Sequence, residues 1–142
     1  MTQELSLSES VSINSPVSKV WDALTNPELI KIYFFGMECI SDWEKGCPMI
    51  FRGTYDGKAY EDKGNILDIE TEKFILYNYW SSFSGTENVP SNYSVIKYEL
   101  LPDHEQILFT LTQEGFKTKE ARDHSAASWR YVIDGLKNML EK

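Results

Sequence analysis

HSAASWRYVIDGLKNMLEK, residues 124–142, is the stretch from which the fold follows. Trp129, Val132, Ile133, Leu136, Met139 and Leu140 recur three and four residues apart, and Arg130, Asp134, Lys137, Asn138 and Glu141 fill the gaps. At helical periodicity this spacing gathers the apolar side chains on one broad face. Between residue 37 and this segment almost everything reads as strand. A long helix with one apolar face must bury it against another layer, and here that layer can only be a sheet. The expectation is one long helix gripping one antiparallel sheet.

Working back from the helix, residues 37–43, 49–55, 58–69, 74–80, 94–101 and 106–114 read as strands separated by turn residues. Asp56-Gly57 predicts a two-residue hairpin turn, because both turn positions need positive φ. Ile96, Tyr98 and Leu100 share one face against Lys97 and Glu99, and Ile107, Phe109 and Leu111 share one against Thr110 and Thr112. Such alternation belongs to a sheet with one face on a helix and one in water. The polar loop 81–92 is long, and long loops in compact domains are often functional.

At the other end, Leu5, Leu7, Val11 and Ile13 alternate with Ser6, Ser8, Ser12 and Asn14, which predicts a first strand. Ser15-Pro16 predicts a helix start, with serine as N-cap and proline in the first position. That helix, carrying Val20, Trp21 and Leu24, ends near Thr25-Asn26, because Pro27 disfavours helical geometry in the residue before it. Asn26 then caps a second short helix carrying Leu29, Ile30 and Ile32.

The chain of 142 residues is expected to form one domain with a real core. Its formal net charge of −8 repels phosphate backbones and anionic bilayers, so neither nucleic acid nor membrane is an expected partner. The one close basic grouping, Lys117, Lys119 and Arg122, is diluted by Glu120 and Asp123. Residues 1–12 lack the basic and apolar regions of a signal peptide, and no apolar run reaches the ~20 residues of a membrane helix. The expectation is a cytoplasmic protein. A turn at Glu44-Lys45-Gly46 puts Cys39 opposite Phe51 and Trp43 opposite Cys47, so the two cysteines are expected as buried, reduced thiols. With His104 and His124 they make no metal cluster, and neither metal nor cofactor is implied.

The order strand, two short helices, six strands, long helix is similar to the helix-grip fold of the lipid-transfer START domains, the birch-pollen allergen group and the polyketide cyclases. Within it, Val20-Trp21-Asp22-Ala23-Leu24-Thr25-Asn26-Pro27-Glu28 resembles the V-W-x-A-L-T-x-P-E signature of the family of the activator of the heat-shock protein 90 ATPase. Gly64 to Ile69, Leu111 to Phe116 and His124 to Trp129 resemble its central strand, last strand and closing helix. The resemblance spans residues 12–141. Ile32-Tyr33-Phe34-Phe35 stands where many members have a Trp-Phe pair, and Cys47 stands where they have a second glycine. The resemblance implies an α+β, START-like fold: a curved antiparallel sheet wrapped around a long C-terminal helix, with two short helices. The family's namesake has a further N-terminal domain that contributes to chaperone binding, and this chain is expected to lack it. Small stand-alone members resemble ligand-binding proteins.

A helix that does not meet its sheet fully leaves a cavity, and aromatic residues suit its lining. The candidates are Trp129, Phe51, Trp80, Tyr98, Phe109, Phe35 and Trp43, with Arg122 to hold an acidic ligand and Arg52 as a second cation. The plainer alternative is that the rings fill the core and the arginines make surface ion pairs. His124 either lines the entrance as an acid–base group or makes a structural hydrogen bond. Asp62, Asp68 and Glu70 read as solvated acidic residues. No nucleophile elbow, phosphate loop, catalytic triad or zinc spacing is present.

The leading reading is a binding protein for a small apolar or amphipathic molecule, monomeric or homodimeric. A chaperone-interaction module is the second reading. An enzyme of cyclase or dehydratase type, using His124 or a tyrosine hydroxyl, is the third. The first needs a cavity of roughly 300–1,000 Å3. The second fits a filled interior with an exposed apolar patch, and the third needs titratable groups within hydrogen-bond reach inside the cavity.

Overall fold

The computed structural model describes residues 5–81 and 87–141. The elements run β1 (Leu5–Ile13), α1 (Val17–Thr25), α2 (Pro27–Tyr33), β2 (Glu38–Ser41), β3 (Pro48–Tyr55), β4 (Lys58–Glu70), β5 (Phe74–Trp80), a 3-10 turn (Pro90–Asn92), β6 (Ser94–Asp103), β7 (Gln106–Phe116) and α3 (Lys119–Leu140). The strands form one seven-stranded sheet in the order β1-β7-β6-β5-β4-β3-β2, antiparallel throughout. This is the expected α+β helix-grip arrangement, a curved sheet wrapped around the long closing helix.

The side chains α3 buries are Trp129, Val132, Ile133 and Leu136, four of the six residues whose spacing predicted it. Its start lies five residues earlier than His124. Thr118 caps it, the hydroxyl accepting from the Ala121 N–H at 3.1 Å, and Glu120 sits in the first turn where the helix dipole favours a carboxylate. The far end is tied to β1. Lys137 Nζ donates to the Ser12 carbonyl at 2.6 Å and to Glu141 at 2.8 Å, and Glu141 accepts from the Asn14 N–H at 2.8 Å. α2 crosses α3 closely, because a Cβ at Gly135 would meet Tyr33 Cβ at 3.3 Å. That approach sets Tyr33 and Phe34 over the interior.

Several boundaries differ from expectation for local reasons. α1 begins at Val17 with Pro16 as its cap residue. Ser15 does not cap it, and the buried Ser15 Oγ has no hydrogen-bond partner among the described residues. β2 stops at Ser41, and Trp43 turns out of the strand with φ +57° while its N–H bonds Ser41 Oγ at 3.1 Å. β6 and β7 are longer than expected because their turn is only His104-Glu105, with φ +59° at His104 and Pro102 still paired with Ile107. Asp56 and Gly57 have φ +53° and +77°, as their hairpin requires.

Both cysteines are free, and Cys39 faces Phe51 as expected. Cys47 is only half-buried, which corrects the expectation of two buried thiols; it lies in the turn, its N–H bonded to the Glu44 carbonyl, rather than paired with Trp43. Among the described residues no group of His, Cys, Asp and Glu is placed to hold a metal ion, and no helix is long and apolar enough to cross a membrane.

Candidate functional site

The strand register decides which side chains meet α3. Tyr77 lies opposite Ile96, and Ile96 opposite Gln113. Tyr98 lies opposite Ile75 and Leu111, Tyr79 opposite Gly64 and Ser94, and Phe51 opposite Asp62 and Cys39. Directly paired residues share a face, so all of these project to the concave side.

Over them lies Trp129 of α3. Its ring meets Phe34 edge-on at 5.5 Å and Tyr98 edge-on at 6.0 Å. Tyr98 in turn packs on Tyr77 at 5.4 Å and on Phe109 at 5.5 Å, and Phe51 packs on Tyr79 at 5.4 Å and on Tyr77 at 6.2 Å. Edge contacts of this kind are the favoured aromatic geometry.

The polar tips of these rings find hydrogen-bond partners inside. Trp129 Nε1 donates to Gln113 Oε1 at 2.7 Å, and Gln113 Nε2 donates to Ser94 Oγ at 3.0 Å. Tyr79 donates to the carboxylate of Asp62 at 2.5 Å, and the Tyr77 and Tyr98 hydroxyls are 2.8 Å apart. Tyr33 donates to the Ala23 carbonyl at 2.7 Å. Burial pushes the hydroxyls of Tyr33, Tyr77, Tyr79 and Tyr98 above their ordinary range, and at Tyr79 the Asp62 carboxylate adds to it. Burial also pushes the Cys39 thiol up to about 12. All are therefore neutral near pH 7, acting as hydrogen-bonding groups and not as anions.

At the centre lies a cavity of about 20 Å3, lined among others by Tyr33, Phe34, Cys39, Trp43, Phe51, Tyr77 and Tyr98. That is near the smallest space that holds one water. A larger open groove of about 940 Å3 lies at the opposite end of the sheet, lined by residues 14–17, 70–74, 99–102 and 104–107. It contains none of the residues chosen from the sequence as ligand contacts and is framed by hairpin turns and exposed glutamates. The aromatic interior, with its converging polar groups, is the chemically specific site.

Trp129, Phe51, Tyr98, Phe109 and Trp43 come together in or against this interior. Trp80 and Phe35 do not. Trp80 follows inward-facing Tyr79 and pairs with exposed Lys63, so it lies on the outer face. Phe35, 59% exposed, stacks on exposed Tyr131 at 5.0 Å. Arg122 is part-exposed and pairs with its neighbour Asp123 at 3.3 Å, and Arg52 pairs with Glu61 at 2.8 Å on the outer face. His124 is exposed. Asp62 was expected to be solvated and is instead buried at 4% exposure, because it shares the inward parity of Gly64 and Ile66.

Tyr77, Tyr79, Gln113, Asp62 and Phe34 join the candidate site although the sequence reading did not choose them as ligand contacts. A signal existed for Gln113, which continues the inward series Ile107, Phe109, Leu111 at a spacing of two. A polar residue in an otherwise apolar register position marks a buried hydrogen-bonding group.

The profile of the family described as Activator of Hsp90 ATPase homolog 1-like protein matches residues 14–141. The chain belongs to this family. No curated protein gives a significant match. Among solved structures, ChR145 from Cytophaga hutchinsonii is 38% identical, with TM-score 0.85 over 99% of this chain and 97% of that one. The Aha1 dimer from Colwellia psychrerythraea is 16% identical, with TM-score 0.77 over 96% of each chain. DynU16, from the dynemicin biosynthetic locus, is 18% identical, with TM-score 0.78 over 96% of this chain and 47% of that one. These last two are likenesses of fold. The polar-tipped aromatic interior is thus a feature of an Activator of Hsp90 ATPase homolog 1-like chain with a START-like architecture.

Proposed function

We propose that this Activator of Hsp90 ATPase homolog 1-like protein binds a small amphipathic molecule between α3 and the concave face of the sheet. The observation that carries the reading is the inward aim of the Tyr77, Tyr79 and Tyr98 hydroxyls, with Gln113 and Asp62, among packed aromatic rings. A core built only to be filled is served at less cost by Phe and Leu, since each buried polar group needs a partner. The 142 residues act as one cytoplasmic helix-grip unit. The contact residues are Trp129, Tyr98, Phe51, Trp43 and Phe109, joined by Phe34 and Tyr77.

A cavity of about 20 Å3 is far below the range of ligand sites, so binding requires the interior to open. The wall that yields is the end of α2. Phe34 is half-buried there, and Phe35 and Gly36 follow with φ +57° and +73°, exposed and outside any helix or strand. Outward movement of Phe34 joins the cavity to solvent beside Trp129.

A second reading is favoured by one surface feature. Ile32, Phe35 and Tyr131 are 65%, 59% and 63% exposed, and an exposed aromatic stack of this kind suits a protein partner such as a chaperone or a second copy of the chain. The dimer of the Colwellia relative is in keeping with the latter. The catalytic reading keeps only the tyrosine hydroxyls, His124 being at the surface.

Native mass spectrometry of the purified protein, followed by a thermal-shift screen of amphipathic metabolites, tests the ligand reading. A co-purifying mass or a rise in melting temperature with one chemical class is expected. No bound mass and no shift across the panel contradicts it and favours the interaction module.

A further inference from the structure

We infer that the molecule bound in this interior is uncharged, with an apolar ring body and a carbonyl oxygen that accepts a hydrogen bond from the Tyr77–Tyr98 hydroxyl pair. This rests on the ligand-binding reading and deepens it. The two hydroxyl oxygens are 2.8 Å apart, and either can be the donor. Each hydroxyl carries one proton, and the bond between them uses one of the two. Whichever donates, the other keeps a proton for which no acceptor stands among the described residues. Both rings line the central cavity, so that proton is available to a molecule entering it.

The same lining decides the charge. It consists of aliphatic, aromatic, methionine and cysteine side chains, none ionised at neutral pH. The arginines that could neutralise an acidic ligand are elsewhere: Arg122 pairs with Asp123 near the start of α3, and Arg52 pairs with Glu61 on the outer face. A carboxylate or phosphate entering the cavity would lose its hydration and meet no cation, which is a large penalty. A ketone oxygen loses much less hydration and gains the orphaned hydroxyl proton. The burial that keeps the tyrosines protonated keeps that donor in place over the whole neutral range.

The test uses three probes of one shape: 2-acetylnaphthalene, 2-naphthoate and 2-ethylnaphthalene, titrated by calorimetry at pH 7 into the unaltered protein and the double variant Tyr77→Phe/Tyr98→Phe. After either single substitution the remaining hydroxyl still carries a proton, so both oxygens are removed together and both rings kept. The ketone is expected to bind the unaltered protein at least about tenfold more tightly than the carboxylate, and to lose about five- to tenfold in the double variant, the loss of one neutral hydrogen bond. The hydrocarbon is expected to bind both proteins alike. Equal affinity of the unaltered protein for 2-naphthoate, or ketone affinity unchanged in the double variant, overturns the inference while leaving a ligand site in place. Failure of all three probes to bind the unaltered protein overturns the ligand reading and this inference with it.

Discussion

Trp129 Nε1 donates to Gln113 Oε1 across 2.7 Å, so the closing helix is bonded to β7 at the one buried polar position of that strand's inner face. The bond fixes both the rotation of α3 and the plane of the indole over Tyr98. Trp129→Ala, which also opens a cavity, is expected to cost ~3–5 kcal/mol in urea unfolding. Trp129→Phe, which mainly orphans the Gln113 oxygen, is expected to cost ~1–3 kcal/mol. Adding Gln113→Leu to Trp129→Phe should recover part of that loss. Equal losses for the single and double variants would show that the bond is not what holds the helix.

Alkaline pH should unfold the protein early. The hydroxyls of Tyr33, Tyr77, Tyr79 and Tyr98 are held above their ordinary value of 10.0, and the Cys39 thiol is raised from 9.0 to about 12. Between these limits the unfolded chain releases protons that the folded one keeps. The stability these groups lend is therefore whole below pH 9 and falls as pH rises through 9 to 12. Each tyrosine held protonated loses about 1.4 kcal/mol per pH unit above 10. Urea midpoints at pH 8, 9, 10 and 11 should fall ever more steeply. A flat profile to pH 11 would mean that these hydroxyls ionise in the folded state.

Gly64 is the position where the sheet tolerates no side chain. A Cβ there would lie 2.1 Å from the Asn78 carbonyl oxygen of β5, a backbone atom that cannot step aside. Gly64→Ala is expected to cost about 3 kcal/mol or more, or to prevent folding, through loss of the β4–β5 pairing. Hydrogen exchange of the Asn65 and Asn78 amides should rise first. A variant with unchanged melting temperature would contradict this contact.

Phe35 behaves oppositely. Its side chain is outside and its backbone is left-handed at φ +57°, a conformation that glycine adopts freely. Phe35→Gly removes an exposed stack on Tyr131 and relieves that strain, so its net effect on chemical denaturation is expected within about 1 kcal/mol of zero. A loss above about 2 kcal/mol would make Phe35 part of the core. Weakened association with a partner, at unchanged stability, would instead support the interaction reading.

Much of this fold was legible because its signals are local. Trp129, Val132, Ile133 and Leu136 are buried at their helical spacing, and Asp56-Gly57 turns as its positive φ values require. Cys39 faces Phe51 because the expected register holds, although the connection from β2 to β3 spans residues 42–47 instead of three. Thr118 and Glu120 also signalled the true start of α3, although the apolar spacing drew attention to His124. The site was less legible. In β5 both faces carry apolar or aromatic residues, FILYNYW, so periodicity cannot tell inward Tyr79 from outward Trp80. In β4 the inward series runs Asp62, Gly64, Ile66, which lacks the apolar regularity that marks a buried face. Phe34 and Phe35 are adjacent, and which one turns inward depends on how α2 ends against α3, a tertiary matter. Arg122 is drawn to its neighbour Asp123 rather than to the interior.

The central claim is that the aromatic interior between α3 and the sheet admits a small molecule. Its most direct test is a 1H–15N NMR titration with 2-acetylnaphthalene, following the Trp129 indole N–H and the amides of Phe34, Tyr77 and Tyr98. Saturable shifts at these four positions, with Ile107 and Glu72 in the distant groove unmoved, are the predicted result. A static indole, with shifts confined to Ile32, Phe35 and Tyr131 or to that groove, would contradict an interior binding site.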